Sequence, residues 1–228
     1  MPIHAKLWYL ERFKLLDALG ESQRRLLEQT TRMQEIKRGQ RVYQPGDSSE
    51  HVFLVKTGVI KVATVGPDDR EVLLAFRHPG DVFGELALLD DSPRDHFAKV
   101  HEDSLICTLN RDVSLRLARE SPEVGFRILT MMARRVRQFR ARIEQLSYKS
   151  AAARVARALI DLADEHGVQD DRGTVIAFRL SQRDLAGLVG LTRETVNQVL
   201  HDLQRRGLAE ADRRTIRLLD IQKLRAVR

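Results

Sequence analysis

The chain has 228 residues, enough to bury a sizeable core as one large domain or two smaller ones, and two is the expectation; its single cysteine excludes an internal disulfide framework and a multi-cysteine metal cluster. The net charge of +7 is unevenly held: residues 1–126 carry 18 Lys and Arg against 20 Asp and Glu, residues 127–149 carry 7 against 1, and residues 150–228 carry 14 against 11. A basic second half suits a polyanionic partner, although positive charge serves solubility or a membrane surface equally well.

The opening segment MPIHAKLWYLERFKLL is amphipathic without a small-residue cleavage site, and no apolar run is long enough to span a bilayer. A soluble cytoplasmic protein with no membrane partner is the expectation. From residue 34 to 109 the pattern changes to short β-branched runs separated by glycine turns at Gly39, Gly46, Gly58, Gly66, Gly80 and Gly84. Strands over 52–55, 59–65, 72–76 and 105–109 predict a jelly roll or barrel. Pro45-Gly46-Asp47 recurs as Pro79-Gly80-Asp81, so the roll is internally repetitive. Cys107 sits in an apolar run and reads as a core thiol.

The segment FGELALLDDSPR, residues 83–94, is the candidate pocket of this roll. Gly84 at a helix start exposes backbone N–H groups to an anion, Glu85 can accept from a hydroxyl, and Arg94 can pair with a phosphate. A capped helix with a surface arginine accounts for the same letters.

Beyond Pro122, the residues Ile128, Met132, Val136, Phe139, Ile143 and Leu146 are spaced as a coiled-coil seam. Arg134, Arg135, Arg137, Arg140 and Arg142 occupy the remaining, cationic face. A parallel homodimer is the natural partner; the alternative is a stripe packed only on the chain's own roll.

Residues 180–207 carry a helix-turn-helix pattern. Ser181 caps a first helix, Gly190 supplies the turn, and Thr192 caps a second helix whose Arg193, Glu194, Asn197 and Gln198 point outward near its start. In such a motif the second helix enters the major groove N-terminus first, where arginine reads guanine and glutamate reads cytosine. An ordinary helical hairpin is the plainer alternative. The last segment reads as strand, polar turn and strand, a wing whose Arg213 and Arg214 lean on phosphates or are simply solvated.

This order of parts resembles the CRP/FNR superfamily of bacterial transcription regulators over nearly the whole chain. The matches are Phe83-Gly84-Glu85-Leu86 with Pro93-Arg94, Met132-Ala133-Arg134-Arg135, and Thr192-Arg193-Glu194-Thr195-Val196. The resemblance implies an α+β fold: an N-terminal double-stranded β-helix (jelly roll) like a cyclic-nucleotide-binding domain with flanking N-terminal helices over 1–121, a long dimerisation helix and hinge over 122–149, and a winged helix-turn-helix over 150–228. It implies a homodimer that binds double-stranded DNA at palindromic TGTGA-like sites and works with RNA polymerase. Arg193 and Glu194 would read a guanine and the neighbouring G·C pair, with Asn197 beside them. Ser181, Gln182, Arg183, Thr192 and Thr195 would contact phosphates. Gln198 stands where catabolite-activator members carry a third, arginine reader, and glutamine pairs best with adenine, so an altered half-site is expected.

The effector pocket implied by the resemblance comprises Gly84, Glu85, Leu86 and Arg94, with Asp95, Phe139 and Arg140. Cyclic-AMP binders of the family follow the arginine with serine or threonine, whereas Asp95 and His96 follow here. A carboxylate at the phosphate would repel it by about 4 kcal/mol at 4 Å and an effective dielectric near 20, unless Arg94 pairs with Asp95 instead. Phe139 and Arg140 replace the hydroxyl residues that would read adenine. A weak or absent cyclic-nucleotide response is therefore expected. One cysteine does not suffice for the family's iron–sulfur type. Met1-Pro2 and His78 fit its haem type, from which the intact Gly84-Glu85-Leu86 departs. His96 and His101 read as solvated, no metal site is expected, and a redox role for Cys107 requires exposure. Catalysis is not implied; a cyclic-nucleotide-gated enzyme or scaffold is the remote alternative.

Overall fold

The computed structural model describes residues 18–66, 69–147, 150–212 and 215–227. The amphipathic start of the chain, with Met1 and Pro2, and the wing-tip pair Arg213 and Arg214 lie outside the described residues. The architecture is α+β. Two compact units form, one from residues 18–64 with Leu74–Val136, the other from Val65–Leu73 with residues 137–227.

In chain order the described elements begin with helix α1 (Glu21–Thr30) and continue through β1 (Arg32–Ile36), β2 (Arg41–Tyr43), β3 (His51–Val65), β4 (Glu71–Arg77), β5 (Val82–Phe83) and β6 (Phe97–Asn110). The strands make one sheet in the order β1-β6-β3-β4, with β2 on β6 and β5 on β3. The two runs expected at 52–55 and 59–65 are one strand. Gly58 is no turn: it lies within β3 at φ 80°, where the register with β6 shifts. A Cβ there would come within 2.3 Å of the Asp103 carbonyl oxygen, so only glycine permits this bulge.

Alternation along the strands divides the core. Val52 and Leu54 pack with Cys107, Leu109, Leu117 and Val124, while Phe53 and Val55 face the roll interior with Tyr43, Phe83 and Ile106. The repeated Pro-Gly-Asp turns are built alike. Asp47 and Asp81 each accept from the backbone N–H three residues earlier, at 2.9 and 2.8 Å. The first turn then brackets Arg94 through Gly46 N–H to Arg94 O and Arg94 N–H to Asp47 O; the second brackets Val55 in the same manner.

Helices α2 (Arg111–Glu120) and α3 (Pro122–Leu146) follow the roll. Next come α4 (Ala151–His166), a hairpin of β7 (Gly167–Asp170) and β8 (Gly173–Ile176), α5 (Gln182–Val189), α6 (Arg193–Arg205), β9 (Ala209–Ala211), β10 (Ile216–Leu218) and α7 (Ile221–Arg225). The strands form a second sheet, β7-β8-β10-β9, whose β7–β8 hairpin the apolar pattern does not announce because β7 is exposed throughout. Leu159, Ile160, Ile176, Leu185, Val196, Leu203 and Leu218 fill the core beneath α5 and α6.

Candidate nucleic-acid interface and sensor site

Capping chemistry sets both helices of the motif. Ser181 Oγ accepts from Asp184 N–H at 3.1 Å, and Thr192 Oγ1 accepts from Thr195 N–H at 3.1 Å. Between them Gly190 takes the left-handed conformation, φ 65° and ψ 40°, that turns the chain sharply enough for α6 to cross α5. The Thr192 and Thr195 hydroxyls also bond each other at 2.9 Å. Hence the Ser181 and Thr192 hydroxyls act first as caps, and the start of α6 offers its positive dipole end.

Arg193, Glu194 and Gln198 are exposed on α6, and Arg183 is exposed at the start of α5. Asn197 is half-buried, its Oδ1 accepting 2.8 Å from Gln182 Nε2 across the two helices. A groove of about 670 Å³ runs beside these residues, lined by Ser181, Gln182, Arg183, Arg193, Asn197 and, beyond them, His201, Gln204 and Asp212. His201 and Gln204 escaped the sequence reading, though their spacing from Asn197 places them on the same helix face. Gln204 Nε2 donates 3.0 Å to the Ala211 carbonyl and so ties α6 to the wing strand. Asp212 closes the wing turn on the Thr215 N–H at 2.8 Å.

The sensor residues are arranged differently from expectation. Gly84 leads into a short 3₁₀ turn, Glu85–Leu88, and Leu86 on it is exposed. Arg94 is only 5% exposed; its Nη1 donates 2.9 Å to the Gly84 carbonyl and its Nη2 donates to the His51 carbonyl. Its guanidinium lies 4.6 Å from the Tyr43 ring centroid, and burial lowers its pKa. Asp95 neither pairs with Arg94 nor turns inward: its side chain is 78% exposed and bonds His96 Nδ1 at 2.5 Å. The physical reason is desolvation, since backbone carbonyls bond both terminal nitrogens of the buried guanidinium, leaving its Nε without a partner, while a carboxylate stays in water. His96 is not solvated either. Its Nε2 meets the Tyr43 hydroxyl at 2.8 Å, while the His101 ring lies against Phe76, tilted by 57° with centroids 4.9 Å apart. Tyr43, Phe53 and Phe83 stack together in the roll interior, with centroids 5.0 to 6.2 Å apart.

Glu85 is engaged as well. Its carboxylate forms an ion pair with Arg135, which also donates to the Val82 carbonyl. Arg135 therefore leaves the cationic outer face assigned to it and is buried, its pKa pulled down to about 9 by burial first and by the Arg77 guanidinium second. Phe139 and Arg140 fall in the second unit, Phe139 half-exposed and Arg140 paired with Glu144 at 3.7 Å.

Along α3, Ile128 does not belong to an outward seam: it packs on the roll's helix-facing core with Met131. Leu129 takes the outward position at 68% exposure, with Val136 at 66% and Ile143 at 69%. Leu129, Met132, Val136, Phe139, Ile143 and Leu146 then follow a regular three-four spacing. Cys107 is buried. Among the described residues no group of three or more His, Cys, Asp and Glu side chains is placed to hold a metal ion, and no helix is long and apolar enough to cross a membrane.

Residues 33–121 match the cyclic nucleotide-binding domain family, and residues 153–227 match the Crp-like helix-turn-helix domain. The chain is 30% identical to the CRP-like cAMP-activated global transcriptional regulator of Mycobacterium tuberculosis over 83% of its own length and 85% of that protein. It is 31% identical to the cyclic AMP receptor protein of Thermus thermophilus, covering 92% and 90% of the two chains. Among solved structures, the c-di-GMP responsive global regulator CLP of Xanthomonas campestris superposes with a TM-score of 0.74 at 25% identity, covering 86% of this chain and 97% of that one. With the motif, the roll and these relatives in agreement, the chain belongs to the CRP/FNR superfamily and is a DNA-binding, helix-turn-helix regulator of transcription.

Proposed function

We propose that the protein acts as a homodimer on palindromic TGTGA-like DNA, reading bases with Arg193, Glu194 and Gln198, and that it does so without cyclic AMP. The observation that carries the effector-independent reading is the state of Arg94 and Glu85. The guanidinium that would meet a phosphate is held by two carbonyls and an aromatic ring, and the carboxylate that would meet a hydroxyl is held by Arg135. A nucleotide entering the roll must break these bonds and displace stacked aromatic rings, with only the unpartnered Nε of Arg94 offered in return. The apolar stripe along α3 supports the dimer, since leaving a row of leucine, valine and isoleucine in water costs free energy that burial against a second copy recovers. In this reading residues 1–121 form the roll, 122–149 the dimerisation helix and hinge, and 150–228 the DNA-binding domain; RNA polymerase is the further partner, and the protein is cytoplasmic.

An effector-switched regulator is the second reading, favoured by relatives named as cAMP-activated and c-di-GMP responsive. Titration of the protein onto a fluorescent TGTGA-like palindrome, with and without cyclic AMP and cyclic GMP at fixed salt, separates the two. Tight binding without nucleotide is expected; binding only with nucleotide establishes the switch.

A further inference from the structure

The last two turns of α3 are stitched to the DNA-binding motif. Arg142 is half-buried and its Nη2 donates to two carbonyls at the C-terminal end of α5, Leu188 at 2.8 Å and Gly187 at 3.3 Å. Those carbonyls belong to the last helical turn, where no backbone N–H of the helix itself remains to satisfy them, and the negative end of the helix dipole favours a cation there. Leu146, one turn further on the same face of α3, lies 3.5 Å from where a Cβ on Gly190 would stand, at the turn between α5 and α6. On neighbouring positions Gln138 Nε2 donates 2.6 Å to Glu165 of α4, and Gln145 donates to Asp161 of the same helix. Burial lowers the Arg142 pKa, the signature of a guanidinium withdrawn from water for these bonds.

We infer that Arg142 is a positioning residue that fixes the helix-turn-helix to the end of the long helix and so sets the distance between the two half-sites the dimer accepts. The inference rests on the homodimer reading. Its physical content is rigidity: two recognition helices carried on one seam present a single spacing, about 34 Å for half-sites one turn apart, and each inserted base pair displaces the second half-site by roughly 3.4 Å along the duplex and about 35° around it. A single Nη2 on a planar guanidinium, bonding both carbonyls, holds that geometry where an apolar stem does not, and a lysine ammonium on its flexible stem holds it less firmly.

The test uses the full chain, wild type and the variants Arg142→Met and Arg142→Lys, on one half-site and on palindromes with the native spacing or one or two inserted base pairs. Expected for Arg142→Met are about a tenfold loss on the native palindrome, flattened discrimination among spacings and half-site affinity within about twofold of wild type, because only the linkage between sites is weakened. Arg142→Lys falls between. An unchanged spacing profile in Arg142→Met overturns the inference alone. So does an equal loss on the single half-site, which makes Arg142 a fold-holding residue only, and so does tighter binding, which makes the bond a brake on DNA recognition. Wild-type protein without any spacing preference overturns the dimer reading and this inference together.

Discussion

The Gln182 amide reaches across the motif to donate 2.8 Å to Asn197 Oδ1, so the first helix controls a side chain of the recognition helix. Reading adenine bidentately needs both the oxygen and the nitrogen of an amide, and the Asn197 oxygen is occupied. Gln198, exposed beside it, keeps both. Gln198→Ala is therefore expected to relax discrimination at one base pair by about 1–3 kcal/mol, and Gln198→Glu to move that preference from adenine toward cytosine. Competition among four half-sites differing at this one position reads the outcome; an unchanged order of preference assigns the reading elsewhere.

Arg193 is exposed at the first turn of α6. Arg193→Ala is expected to lose about 1–3 kcal/mol on the preferred palindrome while affinity for random DNA barely changes. Equal loss on both would make Arg193 a phosphate contact instead of a base reader.

The motif was legible in the sequence because capping is local: Ser181, Gly190 and Thr192 act through neighbours three or four residues away. What escaped was set by partners distant in sequence. Ile128 and Leu129 are both apolar and adjacent, and only the roll decides which turns inward. Arg135 reads as one more surface cation until Glu85, fifty residues earlier, supplies its counter-charge. Asp95 follows Arg94 directly, yet the guanidinium chooses the carbonyls of Gly84 and His51. Gly58 reads as punctuation between strands, whereas pairing with β6 carries the strand straight through it.

Arg94 carries a consequence for stability. In Arg94→Met the Gly84 and His51 carbonyls lose their donors at a site 95% removed from water, and each orphaned acceptor costs about 1–3 kcal/mol. Urea unfolding of the purified variant is expected to show a loss of roughly 2–5 kcal/mol. Asp95→Ser, in contrast, is expected to leave both stability and cyclic AMP affinity nearly unchanged, because that carboxylate already faces water. Nucleotide affinity gained on Asp95→Ser would return the charge argument to force.

Tyr43 gives the roll a pH dependence at the alkaline end. Burial pushes its phenol up to about 12 from 10.0. A folded pKa above the unfolded one means that the neutral form is favoured in the fold, so this contribution is intact below about pH 10 and is lost as pH rises toward 12, amounting to roughly 3 kcal/mol. Unfolding measured at pH 8 and pH 11.5 is expected to show a steeper loss for wild type than for Tyr43→Phe. At pH 8 the variant is lower by about 1 kcal/mol through its missing bond to His96. Parallel losses in the two proteins would remove Tyr43 as the titrating group.

The neighbouring pair Ile128 and Leu129 separates folding from association. Ile128 is part of the roll's own packing, so Ile128→Glu places a carboxylate among apolar side chains and is expected to lower the unfolding free energy by several kcal/mol, about 3 or more. Leu129 is 68% exposed within one chain, so Leu129→Glu leaves the unfolding of an isolated chain nearly unaltered. Across a seam, however, it sets two carboxylates against each other in a drying interface, as Ile143→Glu does about four turns away. Sedimentation is expected to show dimeric wild type and monomeric Leu129→Glu and Ile143→Glu, and palindrome affinity to fall to that of a half-site. A Leu129→Glu protein that remains dimeric would move the interface off this stripe, and with it the origin of the half-site spacing.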